Sequence, residues 1–315
     1  MSRQLRSSWT FGSINIRQGR RWQLNMATVS PSDGGTVGVV GRGFVSVLAA
    51  KLAAIEGYKT WMLMPNGQEE TIKLLMNEED DEEGNVDVTL VEATDGDKLE
   101  SLMESTNAYI FAVDNDTVMD EAVLKFLLKP ENAKNVKRVV GMSRNLNGKD
   151  MGFFVKASKI SANRQVWDGS TSKQYKAFEE SLKECASAIG AEYTIARAGT
   201  LKGGASGDLE EPYKQFLTKQ FYEMTKRDIV TWNLLFDCDI RGVRLAKGDV
   251  LPGPGSKAVF TATGTDASPG DTSRSGICEA MVKSLAVENA ANMDFGVATE
   301  ESRSLPSGPL CLIVI

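Results

Sequence analysis

The chain has 315 residues, 42% of them hydrophobic, enough to bury the core of one large α/β domain or two small ones. It contains no histidine, so no Ser-His-Asp or Cys-His catalytic group can be assembled, and Cys185, Cys238, Cys278 and Cys311 stand alone without CxxC spacing, which argues against metal sites and reads as thiols of a reducing compartment. The net charge of −6 disfavours a nucleic-acid partner, and no apolar run approaches the roughly 20 residues of a membrane-spanning helix.

The N-terminal stretch is charged differently from the rest. Residues 1–30 carry Arg3, Arg6, Arg17, Arg20 and Arg21 and no acid; the first carboxylate is Asp33. Interspersed serines and the lack of an apolar h-region give residues 1–33 the make-up of an organelle transit peptide, with an ordinary flexible arm as the alternative. Taking those five arginines from 36 basic residues leaves 31 against 42 acids, a net charge of −11 for the remainder.

From Thr36 short apolar runs alternate with longer amphipathic ones, the pattern of βαβ units and a parallel sheet. Strands are predicted at 36–40, 59–64, 87–91, 108–113, 136–142 and 192–197. Helices are predicted between them at 44–56, 70–77, 97–104, 117–128 and 171–189, with Gly57 and Gly190 as C-terminal caps. Six consecutive acids, Glu78 to Glu83, repel one another and read as a solvated loop.

Residues 34–210 thus form the core, 211–300 a smaller C-terminal lobe completing the same domain, and 301–315 a tail. In that lobe "EPYKQFLTKQFYEMTKRDI" is a candidate helix and "LPGPGSKAVFTATGTDASPGD" a connection. "DTSRSGICEAMVKSLAVE" is a second helix, capped by Asp271, Thr272 or Ser273, with Ile277, Met281, Val282 and Leu285 on one face. The fold class is α/β: a doubly wound, mostly parallel Rossmann sheet with helices on both faces, whose ligand should lie across the carboxyl ends of the strands.

The first strand-to-helix turn reads Gly41-Arg42-Gly43-Phe44-Val45-Ser46, a G-x-G-x-x-G pattern with serine in the third place. Gly41 permits a tight turn, Gly43 lets the backbone approach a pyrophosphate, and the helix from Phe44 aims free N–H groups at that anion. A tight corner with no ligand is the alternative. NAD recognition expects a carboxylate after the second strand, and Trp61 to Gln68 offers none. Arg42 could instead meet a ribose 2′-phosphate, so NADP is favoured over NAD. Two acidic clusters, Asp114–Glu121 and Phe236–Gly242, are explained as helix capping by Asp116 or Thr117 and as a solvated strand face.

"TVGVVGRGFVS", "KRVVGMSR", "YKAFEESLKECASAIGAEYTIARAGTL" and "DTSRSGICEAMVKSL" together resemble the atypical short-chain dehydrogenase/reductases, especially their NmrA-like branch, over about residues 36–300. "AEYTIARAGTL" is the most specific piece. The resemblance implies that Gly41, Arg42, Gly43, Phe44 and Val45 line the pyrophosphate and adenosine side, that Glu92 lies near the adenine, and that Ala112 and Val113 run under the cofactor. It assigns Ser143 to catalysis or substrate contact, Lys176 to the nicotinamide ribose, and Ala198, Gly199 and Thr200 to the nicotinamide amide.

The departures bear on activity. Catalytic members of the family place a tyrosine four residues before the lysine; here that position is Ser172, while Tyr175 is adjacent to Lys176, about 100° round the helix. Ala198 stands in place of a proline. One expectation is therefore an NADP(H)-dependent reductase of a small organic substrate, with Ser143, Tyr175 and Lys176 as its catalytic residues. The other is a non-catalytic NADP(H)-sensing binding or assembly protein with a protein partner. Plastid is favoured over mitochondrion as the location.

Overall fold

The computed structural model describes residues 28–77, 85–114, 118–144, 169–202, 217–218, 220–221, 224, 242–249, 271–300 and 313–314. The acidic run, the caps Asp116 and Thr117, most of the 211–229 helix, all but the last residue of the 251–271 connection and all but the last residue of Phe236–Gly242 lie outside them.

The chain builds β1 (Thr36–Arg42), α1 (Phe44–Ile55), β2 (Lys59–Met64), α2 (Glu69–Met76), β3 (Val88–Glu92), α3 (Gly96–Ser105), β4 (Ala108–Val113) and α4 (Glu121–Leu127). It continues with β5 (Arg138–Arg144), α5 (Gly169–Ala188), β6 (Glu192–Ala198), β7 (Thr200–Lys202), β8 (Gly242–Lys247), β9 (Asp271–Ser273), α6 (Arg274–Ser284), β10 (Met293–Glu300) and β11 (Ile313–Val314). The elements predicted within the described residues are present, mostly within two residues of their expected bounds. The fourth helix begins later than expected, because Asp120 caps it by accepting the Ala122 N–H at 2.8 Å.

The large sheet runs β11-β8-β10-β6-β5-β4-β1-β2-β3. From β3 to β10 every neighbouring pair is parallel; β8 is antiparallel to β10. Strand order reverses between β1 and β4, so the connections after them leave in opposite directions and open a crevice at their carboxyl ends. One core joins the sheet to α1, α2 and α6, the other to α3, α4 and α5. The described part of the C-terminal lobe extends the sheet: α6 packs along α1 and β10 pairs with β6 in register Phe295 to Ala196. The sequence reading did not single out β10, although Met293, Phe295 and Val297 alternate there with Asp294 and Gly296.

The predicted boundary of the arm at residue 33 is corrected. Val29 is 3% exposed in the α1/α6 core, donates its N–H to Leu285 O at 3.0 Å and accepts the Tyr58 hydroxyl at 3.0 Å. Burial, aided by Glu56, pushes the Tyr58 phenol up to about 12, so at neutral pH it remains the donor. Residue 29 is thus part of the folded core. A chain starting at Gly34 is expected to be less stable than one starting at Thr28 by about 2 kcal/mol, from a lost buried valine and an orphaned hydroxyl, measured by urea unfolding.

Candidate functional site

At the reversal point a cleft of about 630 Å³ is lined by Gly41 and Arg42 from β1, Met64, Pro65 and Asn66 after β2, Ala93 after β3, Val113 from β4 and Asp120 before α4, among others. Its glycines are required by space and backbone. A Cβ on Gly41 would stand 1.6 Å from the Ala112 carbonyl oxygen, so only glycine allows β1 to lie this close to β4. Gly43 has φ +86°, a conformation that favours glycine, and a Cβ there would meet the Asp114 Cβ at 2.7 Å. Ser46 is fully buried and donates its hydroxyl to Gly43 O at 2.8 Å, which closes the turn onto α1.

Arg42 is exposed at the rim of the cleft. The side chains of Phe44 and Val45 turn elsewhere. Phe44 meets Phe221 edge-on at 4.7 Å, and Val45 is fully buried, its carbonyl accepting the Cys278 thiol. What they can offer a ligand is the first-turn N–H groups of α1. Ala112 lies beneath Gly41 and Val113 lines the cleft. Glu92 is committed elsewhere: its carboxylate accepts the Gly67 N–H at 2.7 Å and bonds Thr94 Oγ1 at 3.4 Å, tying the β2–α2 turn to the end of β3.

Beside this cleft, at the carboxyl ends of β5 and β6, lies a second group of polar side chains. A Cβ on Gly141 would strike Leu182 and Phe178, so the odd-numbered side of β5 faces α5. Two residues on, Ser143 advances about 6.6 Å along the strand, equal to about four residues back along the helix, which sets it level with Tyr175. Both are buried, Ser143 at 0% and Tyr175 at 3%, and Ser143 Oγ has no hydrogen-bond partner among the described residues.

Lys176 does not join them. It lies on the exposed side of α5, as does Glu180, and the buried stripe runs Tyr175, Phe178, Glu179, Leu182. One helical step separates Lys176 from the buried stripe, so it is presented to solvent rather than packed against the sheet. The residue four after Tyr175 is Glu179, whose carboxylate grips Arg197 of β6 through Nε at 2.8 Å and Nη2 at 2.7 Å. Arg197 stands opposite Ser143 in the β5–β6 register and also bonds Asp294 of β10. Burial would lower the guanidinium's pKa, but hydrogen bonds and charge from Glu179 and Asp294 outweigh it and hold Arg197 firmly charged.

Sequence reading did not single out Glu179 and Arg197. A signal existed: an arginine inside a predicted buried strand needs a carboxylate, and the 3.6-residue stripe of α5 offers Glu179.

Ala198 and Gly199 close the floor. Ala198 is 1% exposed; Gly199 donates its N–H to Thr272 Oγ1 and its carbonyl accepts Arg144 Nη1, both at 2.8 Å. Thr200 begins the β7–β9 pairing, and its side chain lies outside the described residues, as does that of Ser172. Among the described residues no group of three or more acids or cysteines could hold a metal ion, and no helix is long and apolar enough to cross a membrane.

No protein-family model matches the sequence, and no curated protein matches it. Solved structures similar to it include a wide-type short-chain dehydrogenase/reductase from Veillonella parvula in complex with NADP, at 16% identity and a TM-score of 0.47, covering 87% of this chain and 99% of that one. Another is yeast methylglyoxal/isovaleraldehyde reductase with NADPH, at 12% identity and a TM-score of 0.47, covering 84% and 75%. A third is an anaerobillin reductase from Escherichia coli, at 7% identity and a TM-score of 0.45, covering 86% and 100%. The fold itself is read from the strand order and register of this chain.

Proposed function

We propose that the chain is an NAD(P)-binding protein of the atypical short-chain dehydrogenase/reductase type, an NADP(H)-dependent oxidoreductase that acts on a small organic substrate. The observation that carries this reading is the cleft at the strand-order reversal, walled by Gly41 and Arg42 of the glycine turn on one side and by Met64 to Asn66 on the other. Its apolar lining suits an adenine, and the N-terminus of α1 suits a pyrophosphate. Arg42 at the rim, with no carboxylate at the end of β2 and that of Glu92 engaged by Gly67, supports the phosphorylated cofactor. Ser143 and Tyr175 are the side chains offered to the substrate.

Titration with both cofactors tests the reading. NADPH is expected to bind more tightly than NADH, and Arg42→Ala to weaken NADPH by about ten- to a hundredfold while leaving NADH unchanged. Equal NADPH affinity in the two proteins would remove Arg42 from the role.

One observation favours the second reading, a non-catalytic NADP(H)-sensing binding or assembly protein of an organelle. A phenol becomes a better acid beside a positive charge, yet Tyr175 has Glu179 one turn on, and Arg197 is shared between two carboxylates. Oxidation of NADPH by carbonyl or enone compounds separates the two readings, since only the first requires turnover. The organelle, a plastid in this proposal, rests on the arginine-rich composition of residues 1–30.

A further inference from the structure

The chain carries a buried carboxylate, Asp114, against the Gly41–Gly43 turn. Asp114 continues β4 past Val113, its N–H bonded to Arg42 O at 2.9 Å, and by strand alternation its side chain joins Ala112 on the face of α1 and α6. A Cβ on Gly43 would lie 2.7 Å from the Asp114 Cβ and 3.7 Å from its Cγ. The carboxylate therefore stands against the turn that leads into the first N–H groups of α1. One of its partners is Arg274, the first residue of α6, with Nε 3.0 Å from Oδ2 and both residues buried. The Arg274 guanidinium lies 5.9 Å from the Phe221 ring centroid, and Phe221 meets Phe44 of the same turn. Sequence gave Asp114 only as part of an acidic cluster and did not single out Arg274.

We propose that Asp114 is a built-in counter-anion of the cofactor site: in the free protein it neutralises Arg274 and the electropositive end of α1, and a dinucleotide pyrophosphate replaces it as the partner of Arg274. The proposal rests on the dinucleotide reading given above and adds to it the residue that limits affinity. Asp114 and a pyrophosphate at the Gly43 turn are like charges competing for the same guanidinium, so binding loosens the ion pair. Affinity is thus set by an exchange of anions, and the fully buried Phe221 provides an aromatic surface against which Arg274 can reorient.

The test measures NADPH and adenosine 2′-monophosphate binding to the full chain. D114N removes the competing charge and keeps the side chain's size, and it is expected to bind NADPH at least about tenfold more tightly while binding adenosine 2′-monophosphate, which lacks the diphosphate, as the wild type does. The double variant D114N/R274Q removes both charges, keeps the buried pair neutral if D114N alone does not fold, and is expected to bind NADPH more weakly than the wild type. Equal NADPH affinity in wild type and D114N overturns the proposal and leaves the dinucleotide reading standing, as does a double variant that binds as tightly as D114N. Absence of NADPH binding in wild type and D114N alike overturns the dinucleotide reading itself.

Discussion

Glu179→Ala is expected to destabilise the protein by about 3–5 kcal/mol, because it strips the two-point grip from an arginine that sits beneath α5 at 5% exposure. The remaining carboxylate, Asp294, is about a third exposed and cannot compensate alone. Urea unfolding checks the magnitude. Glu179→Gln retains one acceptor and should lose less. The paired change Glu179→Leu with Arg197→Met should recover most of the loss, since a buried ion pair replaced by apolar side chains of similar size is close to neutral. If the single and paired variants lose the same stability, the ion pair is not what holds α5 onto β6. The effect should reach the site: Arg197 faces Ser143 across the β5–β6 register, so losing its anchor displaces the floor on which Ser143 and Tyr175 stand.

Gly41→Ala is the second large expectation. The added methyl would stand 1.6 Å from Ala112 O, 2.7 Å from Ala112 C and 3.1 Å from the Ser46 Cβ. Two of those three atoms are backbone of a central strand, so nothing can rotate away and β1 must part from β4. Overpacking of this kind costs about 3 kcal/mol or more, and it opens the pair of strands on which the cleft is built. Thermal unfolding and NADPH titration should show both losses. Gly96→Ala is the control: a Cβ there meets nothing within 4 Å, and that glycine opens α3, where alanine should be neutral or stabilise by up to about 1 kcal/mol. A Gly41→Ala protein as stable as the control would show that the strands can separate freely, contrary to the packing.

The two changes illustrate a difference in what could be read early. Gly41 and Gly43 announce themselves, because a Gly-Arg-Gly turn between an apolar strand and a small-residue helix has few conformations open to it, and the space around both glycines agrees. Val113 and Arg42 follow from their places at the ends of β4 and β1, which are local facts. Tyr175 and Lys176 are neighbours that a motif alone does not separate, whereas burial does: Tyr175 is inside and Lys176 outside. Val29 looked like the end of an arm, and only Leu285 and Tyr58, both far along the chain, make it core.

The amino-acid pattern by itself determined the alternation of strands and helices, the class of sheet and the place of the glycine turn, since these depend on periodicity and on backbone freedom within a few residues. Only the tertiary structure decided which charges meet. Glu179, Arg197 and Asp294 come from α5, β6 and β10, and Asp114 and Arg274 are 160 residues apart. Their pairing is set by strand order and by the packing of α5 and α6 on opposite faces, and burial then requires each charge to have a partner, a condition that no local stretch of sequence expresses.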